Sequence, residues 1–154
     1  MTEKAVDLMS SGSGIYHIVF RADKDIEIKV GAAGTFRFIK GFYVYTGTAQ
    51  VALKSRLMRH IKKEKTARWH IDYLSTHPNV EFVNAYYYEG EPGRKECLRN
   101  MRVILNASFF IPKFGSSDCS SCPSHLAGFS KLSDFTSILD DGYIDYNEVS
   151  GSNY

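Results

Sequence analysis

From Gly14 onward the chain sorts into short apolar runs separated by polar turns. Tyr16 to Phe20 is almost continuously apolar, and Ile26, Ile28 and Val30 then alternate with Glu27 and Lys29, the period-two signature of a half-buried strand. Ala22-Asp23-Lys24-Asp25 between them has turn chemistry and predicts a hairpin joining the two runs. Gly31 to Gly34 punctuates the pattern, Thr35 to Ile39 predicts a third short strand and Phe42 to Tyr45 a fourth. In that fourth run Phe42 and Val44 face one way while Tyr43 and Tyr45 face the other. Thr46-Gly47-Thr48 is expected to close the strand and lead into a helix.

The period then becomes helical. Between Ala49 and about Lys63, Leu53, Leu57 and Ile61 recur on one buried stripe, and Arg56, His60 and Lys63 share another. Trp69 to Leu74 predicts a second short helix, stopped by His77-Pro78. Val80 to Tyr88 is rich in β-formers and suits a strand buried on both faces. After Glu91-Pro92-Gly93, the segment Arg94 to Asn106 predicts a helix whose apolar stripe is Cys97, Leu98, Met101, Ile104 and Leu105, with Glu96 beside it. A final strand is expected around Leu126 to Phe129.

Three units follow from this pattern. Residues 1–13 are polar, end in Ser-Ser-Gly-Ser and read as a flexible lead-in. Residues 14–130 read as one folded domain. Residues 131–154 form an acidic C-terminal tail, with Asp134, Asp140, Asp141, Asp145 and Glu148, expected either as a disordered segment or as a short element docked on the basic helix.

At 154 residues, with 44% hydrophobic content, the chain can bury one real core. The formal net charge of +2 is too small to announce a nucleic-acid partner, so the location of the charges decides. Lys54, Arg59, Lys62, Lys63 and Lys65 concentrate on and just after the first helix and are candidate contacts to phosphates. No apolar run reaches the length of about 20 residues that a bilayer requires, so no membrane partner and a soluble, cytoplasmic protein are expected. The three cysteines, Cys97, Cys119 and Cys122, are too few for a secreted disulfide framework. Cys119-x-x-Cys122-x-x-His125 has the spacing of half a zinc site, but tetrahedral structural zinc needs four ligands, and a reduced buried turn is the competing reading.

Gly14-Ile15-Tyr16, Tyr45-Thr46-Gly47, Arg56 in the following helix and a lone Glu96 in a later one resemble, in order and spacing, the GIY-YIG nuclease superfamily. Trp69-His-Ile-Asp-Tyr-Leu74, Glu96-Cys97 and Ser124-His125-Leu126 are similar to a prokaryotic branch of it that is sometimes joined to an endonuclease III-type repair domain. The resemblance runs from about Gly14 to Phe129. It implies a small α/β (α+β) domain with a central three-stranded antiparallel sheet flanked by helices, a divalent-metal-dependent endonuclease that hydrolyses DNA phosphodiesters, and a possible DNA-repair partner. Carried onto this sequence, it implies Tyr16, Tyr45, Arg56, His60 and Glu96 as catalytic residues, with Glu96 as the carboxylate for Mg²⁺ or Mn²⁺. The family's asparagine after the metal-binding helix has no counterpart at Asn106; Ser117 or Asp118 could stand in, Asp118 as a second metal ligand.

These residue types suit the reaction. A phosphodiester anion repels hydroxide, so hydrolysis needs a placed water, a base and cations against the charge that builds on the phosphoryl oxygens. Glu96 offers the oxygen ligand that hard cations prefer, and the Arg56 fork can grip a phosphate in a way lysine cannot. Tyr16 is the candidate base, His60 the candidate acceptor of its proton, and Tyr45 would orient the water. The alternative is a non-catalytic nucleic-acid-binding or partner-recruiting module on the same fold.

Overall fold

The computed structural model describes residues 12–115 and 121–150. The chain alternates strands and helices in the order β1 (Gly14–Ala22), β2 (Ile26–Lys29), a 3-10 turn (Gly31–Ala33), β3 (Thr35–Phe38), β4 (Gly41–Ala49), α1 (Leu53–Ile61), α2 (His70–Ser75) and β5 (Val80–Glu89). A second 3-10 turn (Gly93–Lys95) opens α3 (Glu96–Asn106), followed by β6 (Phe109–Phe110), β7 (Leu126–Phe129), α4 (Leu132–Thr136), β8 (Ile144–Asp145) and α5 (Tyr146–Val149).

The fold is mixed α/β, but the sheet is larger than the three strands expected. Six strands pair antiparallel in the order β6-β7-β4-β1-β5-β8. The central trio β4-β1-β5 carries the long strands. The added edge strands β6 and β8 have two residues each, too short to leave a periodic signal in the sequence.

Strand β1 lies between β4 and β5, and every residue of it except Arg21 is buried, which accounts for its near-continuous apolar run. Because both its edges are taken, β2 cannot pair with it. The expected β1–β2 hairpin is replaced by a separate β2–β3 hairpin, with Ile26 opposite Phe38 and Ile28 opposite Phe36. The polar turn instead ties the base of this hairpin, since the Asp25 carboxylate accepts from the Lys40 N–H at 2.8 Å.

Alternation along the sheet builds two cores. Tyr16, Ile18, Phe20 and Tyr43 face α1 and α2 through Leu53, Leu57, Ile71 and Leu74. Val19 and Val44 face α3 and α4 through Val103, Ile104 and Phe135. Each fully buried Leu, Ile or Phe contributes about 1.5–3 kcal/mol relative to exposure. Strand β4 does not stop at Tyr45 but continues to Ala49, paired with β1 along its full length, so Tyr45 sits in mid-strand.

Two helices differ from their expected faces. In α1 the buried residues are Leu53, Leu57 and His60, with His60 taking the inward place expected of Ile61. In α3 the inward residues are Asn100, Val103 and Ile104, while Leu98 and Leu105 are 73% and 77% exposed. Polar contacts set the rotation of α3: Asn100 Nδ2 donates to the Ser124 carbonyl at 2.7 Å, and the Arg99 guanidinium lies 3.5 Å from the centre of the Tyr88 ring. A hydrophobicity stripe cannot register either.

The acidic segment folds through residue 150, and it docks away from the basic helix. Phe135 is fully buried against His17, Tyr86 and Phe129, and Ile144 pairs with Tyr87 at the sheet edge. Asp140 meets Arg99 and Arg102 of α3, each at 3.1 Å. Among the described residues, no helix is long and apolar enough to cross a membrane.

Candidate active site

The two glycine-tyrosine motifs lie side by side because β1 and β4 are antiparallel, which sets Tyr16 opposite Gly47 and Ile18 opposite Tyr45. Gly47 is needed for space. A Cβ there would stand 2.6 Å from the Tyr16 hydroxyl, so the ring can lie across the neighbouring strand only over a glycine. At Gly14 a Cβ would meet Leu53 at 2.6 Å and the Tyr88 carbonyl at 2.7 Å, which lets α1 pack down on the start of β1.

Tyr16, Tyr45, Arg56, His60 and Glu96 line one cleft of about 470 Å³. The Tyr16 hydroxyl and His60 Nε2 share a hydrogen bond of 3.0 Å, and the Tyr45 ring meets the His60 ring edge-on at 5.8 Å. The remaining His60 nitrogen, Nδ1, is buried with no hydrogen-bond partner among the described residues. Arg56 is anchored by Nη1, which donates to the Thr48 carbonyl at 3.0 Å.

Glu96 opens α3 and is held at both oxygens. Oε1 accepts from the Thr48 hydroxyl, and Oε2 lies 2.8 Å from His125 Nδ1. The same Nδ1 is 3.1 Å from the Thr46 carbonyl, and because both partners are acceptors, Nδ1 carries the hydrogen. His125 is itself fixed by its backbone, whose carbonyl accepts from the Thr46 N–H at 3.1 Å.

The electrostatics follow from burial and from these bonds. Burial pushes the Tyr16 phenol well above its ordinary pKa, with Arg56 opposing. Tyr45 is raised in the same way, so both are protonated donors when nothing is bound. His60 is pushed down to about 3, first by burial and then by the cations Lys65, Arg56 and Arg59, so its imidazole is neutral at physiological pH. Burial alone would raise the Glu96 carboxyl, but the bonds from His125 and Thr48 outweigh it and keep Glu96 ionised.

The other expected residues divide. Arg59, Lys63 and Lys65 turn inward. Arg59 grips the buried Asp72 carboxylate with two bonds of 3.1 Å, Lys63 Nζ donates to the carbonyls of His77 and Val80, and Lys65 Nζ caps α1 at the carbonyls of Arg59 (2.9 Å) and His60 (2.7 Å). Arg59 and Lys63 tie α1 to α2 and to the start of β5, and Lys65 closes the end of α1 itself. Lys62 is exposed just past α1, and Lys54 is half-buried on it. Cys122 is a buried free thiol, while His125 of the candidate zinc turn points at Glu96. Cys119 and the candidate ligand Asp118 lie outside the described residues, as does Ser117. Among the described residues, no group of three or more His, Cys, Asp or Glu is arranged around a metal position.

Several lining residues are not marked by the sequence as site residues: Thr48, Arg68, Trp69, and His125 in its contact with Glu96. The sequence signals for Trp69 are its place at the head of the Trp69-His-Ile-Asp-Tyr-Leu74 motif and its being the chain's single tryptophan, beside arginine and histidine. Nothing in the linear pattern could have paired His125 with Glu96, 29 positions away.

Residues 15–146 match the family described as domain of unknown function DUF123. The chain belongs to the DUF123 family. The matched span runs from β1 to the start of α5, so the cleft and both of its helical walls lie within the DUF123 domain. Comparison with curated proteins and with solved structures gives no match.

Proposed function

We propose that this DUF123 chain is a divalent-metal-dependent endonuclease that hydrolyses DNA phosphodiesters. The observation that supports this most is the meeting of Tyr16, Tyr45, Arg56, His60 and Glu96 in one cleft, the five residues implied by the resemblance to GIY-YIG nucleases.

The donor set suits a hard cation. Glu96 is ionised, partly exposed to the cleft and oxygen-bearing, and as a single carboxylate it leaves most coordination positions to water and to the substrate. Such an ion, Mg²⁺ or Mn²⁺, would offset the charge that builds on the phosphoryl oxygens. Thr48 and His125 fix the Glu96 carboxylate in one orientation.

The remaining steps belong to the chain's own side chains. Arg56, tethered to the Thr48 carbonyl, presents its other guanidinium nitrogens to a phosphate. Tyr45 donates to the attacking water and orients it. Tyr16 takes the water's proton as it passes its own to His60 Nε2 along their 3.0 Å bond; the water oxygen bonds to phosphorus, the P–O bond opposite it breaks, and the departing oxygen takes its proton from solvent. The neutral imidazole at rest, depressed first by burial, is a weak acceptor, and a phosphodiester seated on Arg56 offsets only the smaller share of that depression that comes from the neighbouring cations.

A second reading is a nucleic-acid-binding module without chemistry on the same fold. It is favoured by the raised Tyr16 and depressed His60, which are mismatched for proton transfer until substrate arrives. A nicking assay on supercoiled DNA with Mg²⁺ or Mn²⁺ separates the two. The nuclease reading expects nicking by the wild type that EDTA, Glu96→Ala and Tyr16→Phe each abolish. DNA retention with no nicking over a broad substrate panel supports the binding module instead.

A further inference from the structure

We infer that Trp69 and Arg68 form a nucleobase-stacking subsite at the mouth of the cleft, which selects DNA carrying an unpaired nucleotide over intact duplex. This rests on the nuclease reading above and specifies its substrate class.

The reacting groups are recessed. Tyr16 and His60 are 2% and 1% exposed, at the floor of a cleft whose volume fits a ligand of about one nucleotide. A phosphate held in a stacked duplex is fixed on a rigid cylinder, whereas an unpaired nucleotide can be drawn inward. Entry of a nucleotide brings its base against the cleft wall, where that wall is aromatic.

Trp69 is built as a fixed platform. Its backbone N–H donates to Asp72 Oδ2 at 3.0 Å, and the same oxygen accepts the Arg68 N–H at 2.8 Å. The Arg59 guanidinium, clamped by Asp72, lies 4.6 Å from the Trp69 ring centre, and that of Arg56 lies 4.9 Å away. The ring therefore has its position set by a buried carboxylate and two anchored cations. Pre-organisation of this kind lowers the entropy lost when a partner stacks.

Arg68 differs from these two arginines. Its side chain is exposed, and among the described residues it makes only a looser contact with the Trp69 ring at 5.9 Å. It is free to swing over an incoming base or onto its phosphate, so the subsite pairs a rigid aromatic floor with one mobile cation. Stacking on such a surface reads the π-face of any base and is indifferent to sequence.

Because Trp69 is the only tryptophan, its fluorescence reports on this subsite alone. The test uses the full chain carrying Glu96→Gln, to block cleavage, with Mg²⁺ present. It is titrated with a duplex bearing a short single-stranded gap and with the same duplex fully paired, following tryptophan emission and the anisotropy of labelled DNA. The gapped DNA should quench Trp69 and bind about tenfold more tightly than the paired duplex. Adding Trp69→Leu should bring the two affinities together, and Trp69→Phe should retain most of the preference. Arg68→Ala, which truncates an exposed side chain and keeps the backbone N–H bonded to Asp72, should weaken gapped-DNA binding severalfold. Equal affinity for the two DNAs, or Trp69 emission unmoved by the gapped one, overturns the subsite and leaves the nuclease reading standing. Failure to bind either DNA removes both.

Discussion

Glu96 Oε2 and His125 Nδ1 stand 2.8 Å apart, joining the first residue of α3 to the residue that precedes β7. The bond uses the Nδ1 hydrogen, and an asparagine side chain can place an N–H in nearly the same position, whereas glutamine reaches the place of Nε2. His125→Asn should therefore keep Glu96 oriented and retain cation affinity within about threefold, while His125→Ala and His125→Gln weaken it by about ten- to a hundredfold. Calorimetric titration with Mn²⁺ measures this. Equal losses in all three variants would mean that His125 matters only for packing.

Acid should destabilise the fold well above the range where carboxylates titrate. His17 and His60 are pushed down from 6.5 to about 3, first by burial and then by Arg99 for His17 and chiefly Lys65 for His60. Between those values the unfolded chain binds more protons than the folded one, so stability falls as pH falls. The slope is up to about 1.4 kcal/mol per pH unit for each imidazole. Asp72 and Glu96, whose carboxyls are held below their ordinary range, add loss of the same sign at lower pH. Urea midpoints at pH 7.5, 6 and 5 should fall progressively. A midpoint unchanged from pH 7.5 to 5 would show that neither histidine is held neutral by burial.

Asp72 joins α1 to α2. It is fully buried, accepts both prongs of Arg59 at 3.1 Å and takes the backbone N–H groups of Arg68 and Trp69. Asp72→Ala leaves a half-buried guanidinium and two N–H groups without their acceptor, for an expected loss of about 3–5 kcal/mol. Denaturant unfolding checks it, and a loss below about 1 kcal/mol would contradict the role.

Gly47→Ala should cost function more than stability. The new Cβ would fall 2.6 Å from the Tyr16 hydroxyl and 2.7 Å from the adjacent ring carbon, so Tyr16 must move off His60. A displacement of about 1 Å at a reacting group lowers rates by about a hundredfold, while overpacking costs about 1–3 kcal/mol. Single-turnover cleavage alongside thermal melting separates the two effects. Undiminished cleavage would show that the close approach of Gly47 and Tyr16 is dispensable.

Legibility in the sequence followed local periodicity. The strands holding Tyr16 and Tyr45, the helix holding Arg56 and His60 and the short helix that Trp69 precedes have strong patterns, and the structure has each of them. Pairing partners were less visible. Nothing local to Ile26 or Ile28 says that β1 has both edges filled, so the local pattern points β2 at the wrong neighbour. The face of α3 differs from its apolar stripe because a buried amide, Asn100, and a stacked cation, Arg99, outweigh Leu98 and Leu105 in setting its rotation. Charge was least informative. Arg59, Lys63 and Lys65 look like a phosphate-binding run in one dimension, yet each head group finds an internal acceptor once α1 packs beside α2 and the start of β5.

The account rests most on Glu96 as a residue of chemistry and not of folding or of DNA affinity. Cleavage and binding measured side by side on one labelled substrate test this directly, for the wild type and for Glu96→Gln. The expected result is Mg²⁺- or Mn²⁺-dependent cleavage by the wild type, a fall of about a thousandfold or more in Glu96→Gln, and DNA affinity within about threefold between the two. Cleavage by Glu96→Gln at the wild-type rate would contradict the nuclease site built around this cleft.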